Sequence, residues 1–246
     1  MEDTGQSEPM IEAVRRALEA DTDVRIEDPA IGLTDDGALF LEGVVEDISV
    51  KRTAANTARR AIAGRRPLED RLRVRARREG ELALRDEVLR NLAGESMFSE
   101  FTLDVHAGSD YELVHDGGPD ASRIHVYVNG SVVRLEGRVP SLDHQRFAEV
   151  LAWWAPACER VDNRLEVASG QDEDDNEITD TVRMVLEKDP LVNASQIRPG
   201  TAGHVVELRG LVASDEERRV AVSDAWYVPG VWSVVDHIEV RPPNPA

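Results

Sequence analysis

Three stretches of the chain alternate apolar and polar positions in the same way: "LFLEGVV" ending at Val45, "VVRLEGRV" ending at Val139, and "VELRGLV" from Val206 to Val212. Each places a leucine, one charged residue and a glycine ahead of a valine: Leu41-x-Gly43-x-Val45, Leu135-x-Gly137-x-Val139 and Leu208-x-Gly210-x-Val212. A period of two predicts half-buried strands. The period changes upstream. "PMIEAVRRALEAD" repeats Met10, Val14, Ala17 and Leu18 at helical spacing, "LALRDEVLRNLAGE" repeats Leu84, Val88 and Leu92, and "EITDTVRMVLEKDP" repeats Ile178, Val182, Val185 and Leu186.

Spacing supports a repeat. Asp21 to Gly43 is 22 residues and Asp189 to Gly210 is 21; the middle copy is about 20 residues longer because "DVHAGSDYELVHDGGPDAS" intervenes. Downstream, Gly43 to Val74, Gly137 to Val167 and Gly210 to Val240 are 31, 30 and 30 residues. Each interval holds a second helical stretch and a short closing strand, "LEDRLRV", "VDNRLEV" or "VVDHIEV". Ser214-x-x-Glu217 reads as a capping box, and Ser141 as an N-cap. The expected fold is α+β: three tandem αββαβ units, each a three-stranded mixed sheet on two helices. They cover 7–78, 80–168 with an insertion at about 104–123, and 177–242, with an acidic linker at 169–176. Units this small have marginal cores, so neighbours are expected to pack together. Gly43, Gly137 and Gly210 are structural glycines: inside strands they imply a bulge or a close backbone approach, expected from the second helix.

Composition narrows the function. The net charge of −19 disfavours nucleic acid or a bare anionic membrane as unspecific partners. The charge is uneven: residues 7–75 carry 12 basic and 14 acidic groups, 80–167 carry 8 and 16, and 177–241 carry 7 and 11. No run of 18 apolar residues is present, so no transmembrane segment is expected. "MEDTGQSEPMIEAV" lacks the basic and apolar regions of a secretory leader, and the expectation is a complete, cytoplasmic chain rather than a periplasmic one. The single cysteine, Cys158, cannot form an internal disulfide.

The helices, the L-x-G-x-V strand and the "V-x-N-x-L-x-V" closing strand together resemble the BON domain family across nearly all of residues 7–241. The third copy fits best, with the family's G-V-x-x-V-x-(N/D) ending at Gly230, Val231, Val234 and Asp236. The second has Ala157, Cys158, Val161 and Asp162-Asn163; the first departs furthest, with Gly64, Arg65 and Leu68. The resemblance implies a non-enzymatic module associated with phospholipid surfaces, envelope stress and protein contacts, commonly in the periplasm.

Two sets of residues are candidates for binding. Nine arginines (Arg59, Arg60, Arg65, Arg66, Arg71, Arg73, Arg75, Arg77, Arg78) crowd one segment against only Glu69 and Asp70. On an extended strand Arg71, Arg73, Arg75 and Arg77 share a face, suited to phosphates through paired donors or to an acidic protein surface. The aromatics Trp153, Trp154, Trp226, Tyr227 and Trp232 lie in the second-helix and third-strand region of copies two and three, suited to core packing or to inter-domain and partner contacts. The insertion carries His106, Asp110, His115 and Asp116, too irregularly spaced for a zinc site, and its glycine-rich context reads as a hairpin or a flexible excursion. The run from Asp172 to Glu177 fails as a calcium loop, with glutamate at its sixth position and Arg183 at its twelfth. No nucleophile elbow or phosphate-cradling loop is present, so neither enzyme activity nor a cofactor is expected. The first reading is a stress-associated scaffold with unknown protein partners, which could include further copies of itself. The alternative is a peripheral module for anionic phospholipid.

Overall fold

In the computed structural model the described residues are 4–77, 79–107, 110–119, 121–168 and 174–241. Arg78, the segment 169–173 and the side chain of Asp110 lie outside that description. Two units divide the chain, residues 1–75 and 76–246.

The first unit runs α1 (Thr4–Ala20), β1 (Glu27–Leu33), β2 (Leu39–Val45), α2 (Ile48–Ile62) and β3 (Leu68–Val74). Its sheet has the order β1-β2-β3, with β1 antiparallel and β3 parallel to the central strand. A parallel neighbour needs a crossover, and α2 supplies it. Asp47 starts α2 by accepting the backbone N–H groups of Ser49 and Val50. Val14 and Leu18 of α1, Leu39, Leu41 and Val45 of β2, Ala54, Ala58 and Ile62 of α2, and Leu72 of β3 close the core. The helical and two-residue periods of the sequence thus converge on one apolar layer.

The second unit contains two copies of this plan. First come α3 (Glu81–Gly94), β4 (Thr102–Ala107), β5 (Asp110–His115), β6 (Arg123–Asn129), β7 (Val132–Val139), α4 (Leu142–Trp153) and β8 (Arg160–Val167). Then follow α5 (Asp175–Lys188), β9 (Ile197–Ala202), β10 (Val205–Val212), α6 (Asp215–Tyr227) and β11 (Ser233–Val240). The last copy has the expected three strands, ordered β11-β10-β9. The middle copy corrects the expectation: its sheet has five strands, β5-β4-β6-β7-β8. The insertion is an antiparallel hairpin whose first strand pairs parallel to β6. Leu103 and Val105 drop into the core and Thr102 and Asp104 are buried beside them, so the hairpin becomes part of the sheet.

Two further expectations change. The acidic linker is shorter than 169–176: Asp174 caps α5 by accepting the Glu177 N–H (2.8 Å), and Asp175 opens the helix, where carboxylates oppose the positive end of the dipole. The repeated glycines are crowded not by the second helix but by the entry to the preceding strand. A Cβ on Gly43 would strike Ile26, on Gly137 the carbonyl oxygen of Arg123, and on Gly210 that of Gln196. All three have positive φ, 145°, 137° and 159°, a second reason that no side chain fits. Each sits opposite the buried residue of the closing strand: Gly43 beside Leu72, Gly137 beside Leu165, Gly210 beside Ile238.

A polar clasp recurs in all three sheets. Asp70, Asn163 and Asp236 each turn a side-chain oxygen back to the N–H two residues on, at Leu72 (3.0 Å), Leu165 (3.2 Å) and Ile238 (2.9 Å). Each also meets the residue four past the second helix's N-cap. Lys51 pairs with Asp70 (2.7 Å), the Asn163 amide donates to the Gln145 carbonyl (2.8 Å), and Arg218 donates to Asp236 (2.7 Å). Three different chemistries thus tie the crossing helix to the same place on the sheet.

Candidate binding site

Within the second unit the two copies meet along α4, α5 and α6, and three of the expected aromatics, Trp153, Trp154 and Tyr227, line the seam. The Trp153 ring stacks on Tyr227 (centroids 6.2 Å apart, 24° between planes), and Trp153 is only 4% exposed. Trp154 turns the other way, edge-on to Phe147 and donating its indole N–H to Asp224 (3.2 Å). Adjacent residues at a helix end point about 100° apart, so one pair reaches two parts of the opposing copy. Thr181 donates to Asp143 (3.2 Å), Arg146 lies 3.7 Å from Glu177, and Lys188 pairs with Glu95 (2.5 Å) around them.

Asp224 is the unexpected member of this seam. Burial first, and the neighbouring Asp189 carboxylate second, push its pKa up to about 8, against the Trp154 hydrogen bond that lowers it. The group is therefore largely protonated at neutral pH. An aspartate in the second helix of a charged sequence gives no signal of this; only a view of Trp154 arriving from the other copy does.

The remaining aromatics differ. Trp226 is half-buried on α6. Trp232 is 46% exposed, lying flat on His204 (4.2 Å, 11°). That platform is fixed from below: the Asp175 carboxylate accepts the N–H groups of Gly203 (2.7 Å) and His204 (2.9 Å), which holds its pKa below the usual carboxylate range. His204 Nδ1 also lies 3.0 Å from the carbonyl of Gly230, the glycine of the family ending, where φ is 91°. Glu81, the first residue of α3, holds the equivalent turn at Gly130 (2.7 Å), so the device is shared between the copies.

In the first unit the arginines do not form one stripe. The strand stops at Val74, and Arg77 belongs to the second unit. Arg71 pairs with Glu69 (2.7 Å) and lies over the Phe40 ring (4.8 Å); its pKa is raised, chiefly by the Glu69 hydrogen bond. Arg75 pairs with Glu27 and Glu46. Arg73 is exposed on the same strand. Arg59 donates to Asn56 (2.9 Å), Arg60 to Thr57 (3.3 Å) and Arg66 to the Gly37 carbonyl (2.8 Å). Arg65 is exposed and, with Arg66, Met10 and Ala13, borders an open cleft of about 700 Å³.

The insertion places His106 against Tyr111 and Tyr127, whose hydroxyls are 2.6 Å apart. His115 lies 2.9 Å from the Ser99 carbonyl, and Asp116 accepts the Gly118 N–H, so these candidate metal ligands have separate partners. Cys158 is buried.

A search among curated proteins finds no match. Among solved structures, the C-terminal domain of CdsD, a structural protein of the type III secretion system of Chlamydia trachomatis, is 11% identical, covering 95% of this chain and 98% of its own at a TM-score of 0.25. The PrgH periplasmic domain is 10% identical over 92% of this chain and 99% of its own, at 0.24. At these scores neither fold nor function is carried over. The model of the BON domain, by contrast, matches residues 111–169 and 174–242, both within the second unit and together just over half of the chain. With the shared glycine, clasp and crossover in view, the chain belongs to the BON domain family.

Proposed function

We propose that this protein is a non-enzymatic binding or scaffold protein of tandem BON modules, stress-associated and cytoplasmic, acting through contacts with other proteins. The first unit, with the same pairing, glycine and clasp, is read as a third and divergent module.

The observation that carries the protein-contact reading over the phospholipid one is the engagement of the arginines. Arg71 and Arg75 already hold Glu69, Glu27 and Glu46, and Arg59, Arg60 and Arg66 hold neighbouring oxygens. An anionic surface would have to displace those partners and approach a chain of net charge −19. Liposome flotation of the full chain tests this, using anionic and zwitterionic vesicles at low and high salt. The expected result is no flotation. Salt-sensitive flotation on anionic vesicles only, abolished by changing Arg71, Arg73 and Arg75 together to Ser, reverses the order of the two readings. Cell fractionation checks the compartment.

A further inference from the structure

Edge strands expose unpaired backbone groups, and proteins blunt them with proline, bulges or charge. Among the described residues, five of the six sheet edges carry no exposed large hydrophobic side chain. β1 carries Pro29 and a register shift, and β9 carries Pro199 and Gly200. β3 and β8 carry four charged residues each, and β11 carries Asp236 and Glu239. The sixth is β5, which pairs only with β4. It has neither proline nor glycine. Among the described residues, three of the six exposed large hydrophobic side chains stand on it: Tyr111 (50%), Leu113 (55%) and Val114 (43%). Its register shift falls at Val114, leaving Tyr111 to Leu113 in regular pairing with His106 to Asp104.

The two faces of this edge differ. Tyr111 and Leu113 stand opposite His106 and Asp104, on the side where Tyr111 meets Tyr127. Glu112 points to the other side, 63% exposed, with Arg85 at 3.9 Å. Charge selects the occupant. Residues 76–246 carry 32 acidic against 17 basic groups, which draws in a basic segment and repels a second copy. A two-fold antiparallel addition centred on Glu112 would also set two Glu112 carboxylates face to face, and one centred on Leu113 would bring the Val114 bulge into the ladder.

We propose that the free edge of β5 is a docking strand that takes an extended, basic segment of a partner protein by strand addition. Alternate apolar side chains of that segment settle beside Tyr111 and Leu113, and the intervening basic ones lie on the Glu112 side. Main-chain hydrogen bonds supply affinity and the alternation supplies specificity. This inference rests on the binding-module reading but uses a surface apart from the aromatic seam and the arginines.

The test uses the full chain and a labelled eight-residue peptide alternating valine and arginine, followed by fluorescence anisotropy. A second peptide of the same charge has proline at two valine positions. The expected result is saturable binding of the first, at least tenfold weaker binding of the second, and slowed amide exchange across residues 111–114. Leu113→Lys and Glu112→Arg, both at exposed positions, should weaken the first peptide at least tenfold while leaving circular dichroism and the melting temperature unchanged. Equal binding of both peptides, indifferent to Leu113→Lys, would overturn the proposal in favour of diffuse electrostatics. Absence of binding at low salt overturns it outright, and leaves the scaffold reading to the flotation result. Self-association of the chain alone, abolished by Leu113→Lys, makes a second copy the occupant and overturns the basic partner.

Discussion

At the scale of single residues, the chain places charge where it has to be answered locally. Lys51 is buried yet charged, and its ammonium answers both Asp70 (2.7 Å) and the Leu72 carbonyl (2.8 Å). Removing one member of such a pair leaves the other desolvated and unpaired. Lys51→Ala is therefore expected to destabilise the first unit by about 3 kcal/mol, read as faster amide exchange in α2 and β3. Asp224 presents the opposite case, a carboxyl whose folded pKa of about 8 lies above its unfolded value. The folded state then binds more protons than the unfolded one between those two values, so stability falls as pH rises through that window. Asp224→Asn removes this dependence. Its melting temperature should exceed that of the parent chain by more at pH 9 than at pH 5; an equal difference at both would mean that the carboxyl does not titrate there.

At the scale of the element, the sequence was legible where one period dominates. The alternation in "LFLEGVV", "VVRLEGRV" and "VVELRGLV" emerges as alternating burial, and the helical offsets of Met10, Val14 and Leu18 point into one core. Ser214 caps α6 as read, accepting the Glu217 N–H (3.1 Å). Ser141 occupies the N-cap of α4, but its hydroxyl meets His144 (2.8 Å) instead. The glycine-rich insertion was legible as a hairpin or a flexible excursion, but not its place in the sheet, because the parallel pairing of β4 with β6 joins segments some way apart in sequence. The glycine of the central strand has a direct test. Gly210→Ala forces a Cβ onto the Gln196 carbonyl at a φ of 159°, and should cost on the order of 3 kcal/mol. Gly200→Ala, where a Cβ meets nothing within 4 Å, should cost less than about 1 kcal/mol in the same urea titration.

At the scale of the whole molecule, the chain settles into two units, and the seam inside the second makes its two copies one body. The Trp153–Tyr227 stack and the Trp154–Asp224 bond are its centre. Trp153→Ala is expected to lose about 3 kcal/mol of buried aromatic packing. Calorimetry should then show an additional transition as the two copies melt apart; a single lowered transition would mean that they share more than this seam. By itself, the sequence determined the elements, the repeat and the family, because periodicity, spacing and the L-x-G-x-V phrase are local properties that survive without coordinates. Tertiary structure alone decided the five-stranded sheet, the crowding of the glycines by an incoming strand, the protonated Asp224 and the open edge at β5. Each depends on which distant segment arrives beside a residue, and a one-dimensional pattern carries no record of its neighbours across the fold.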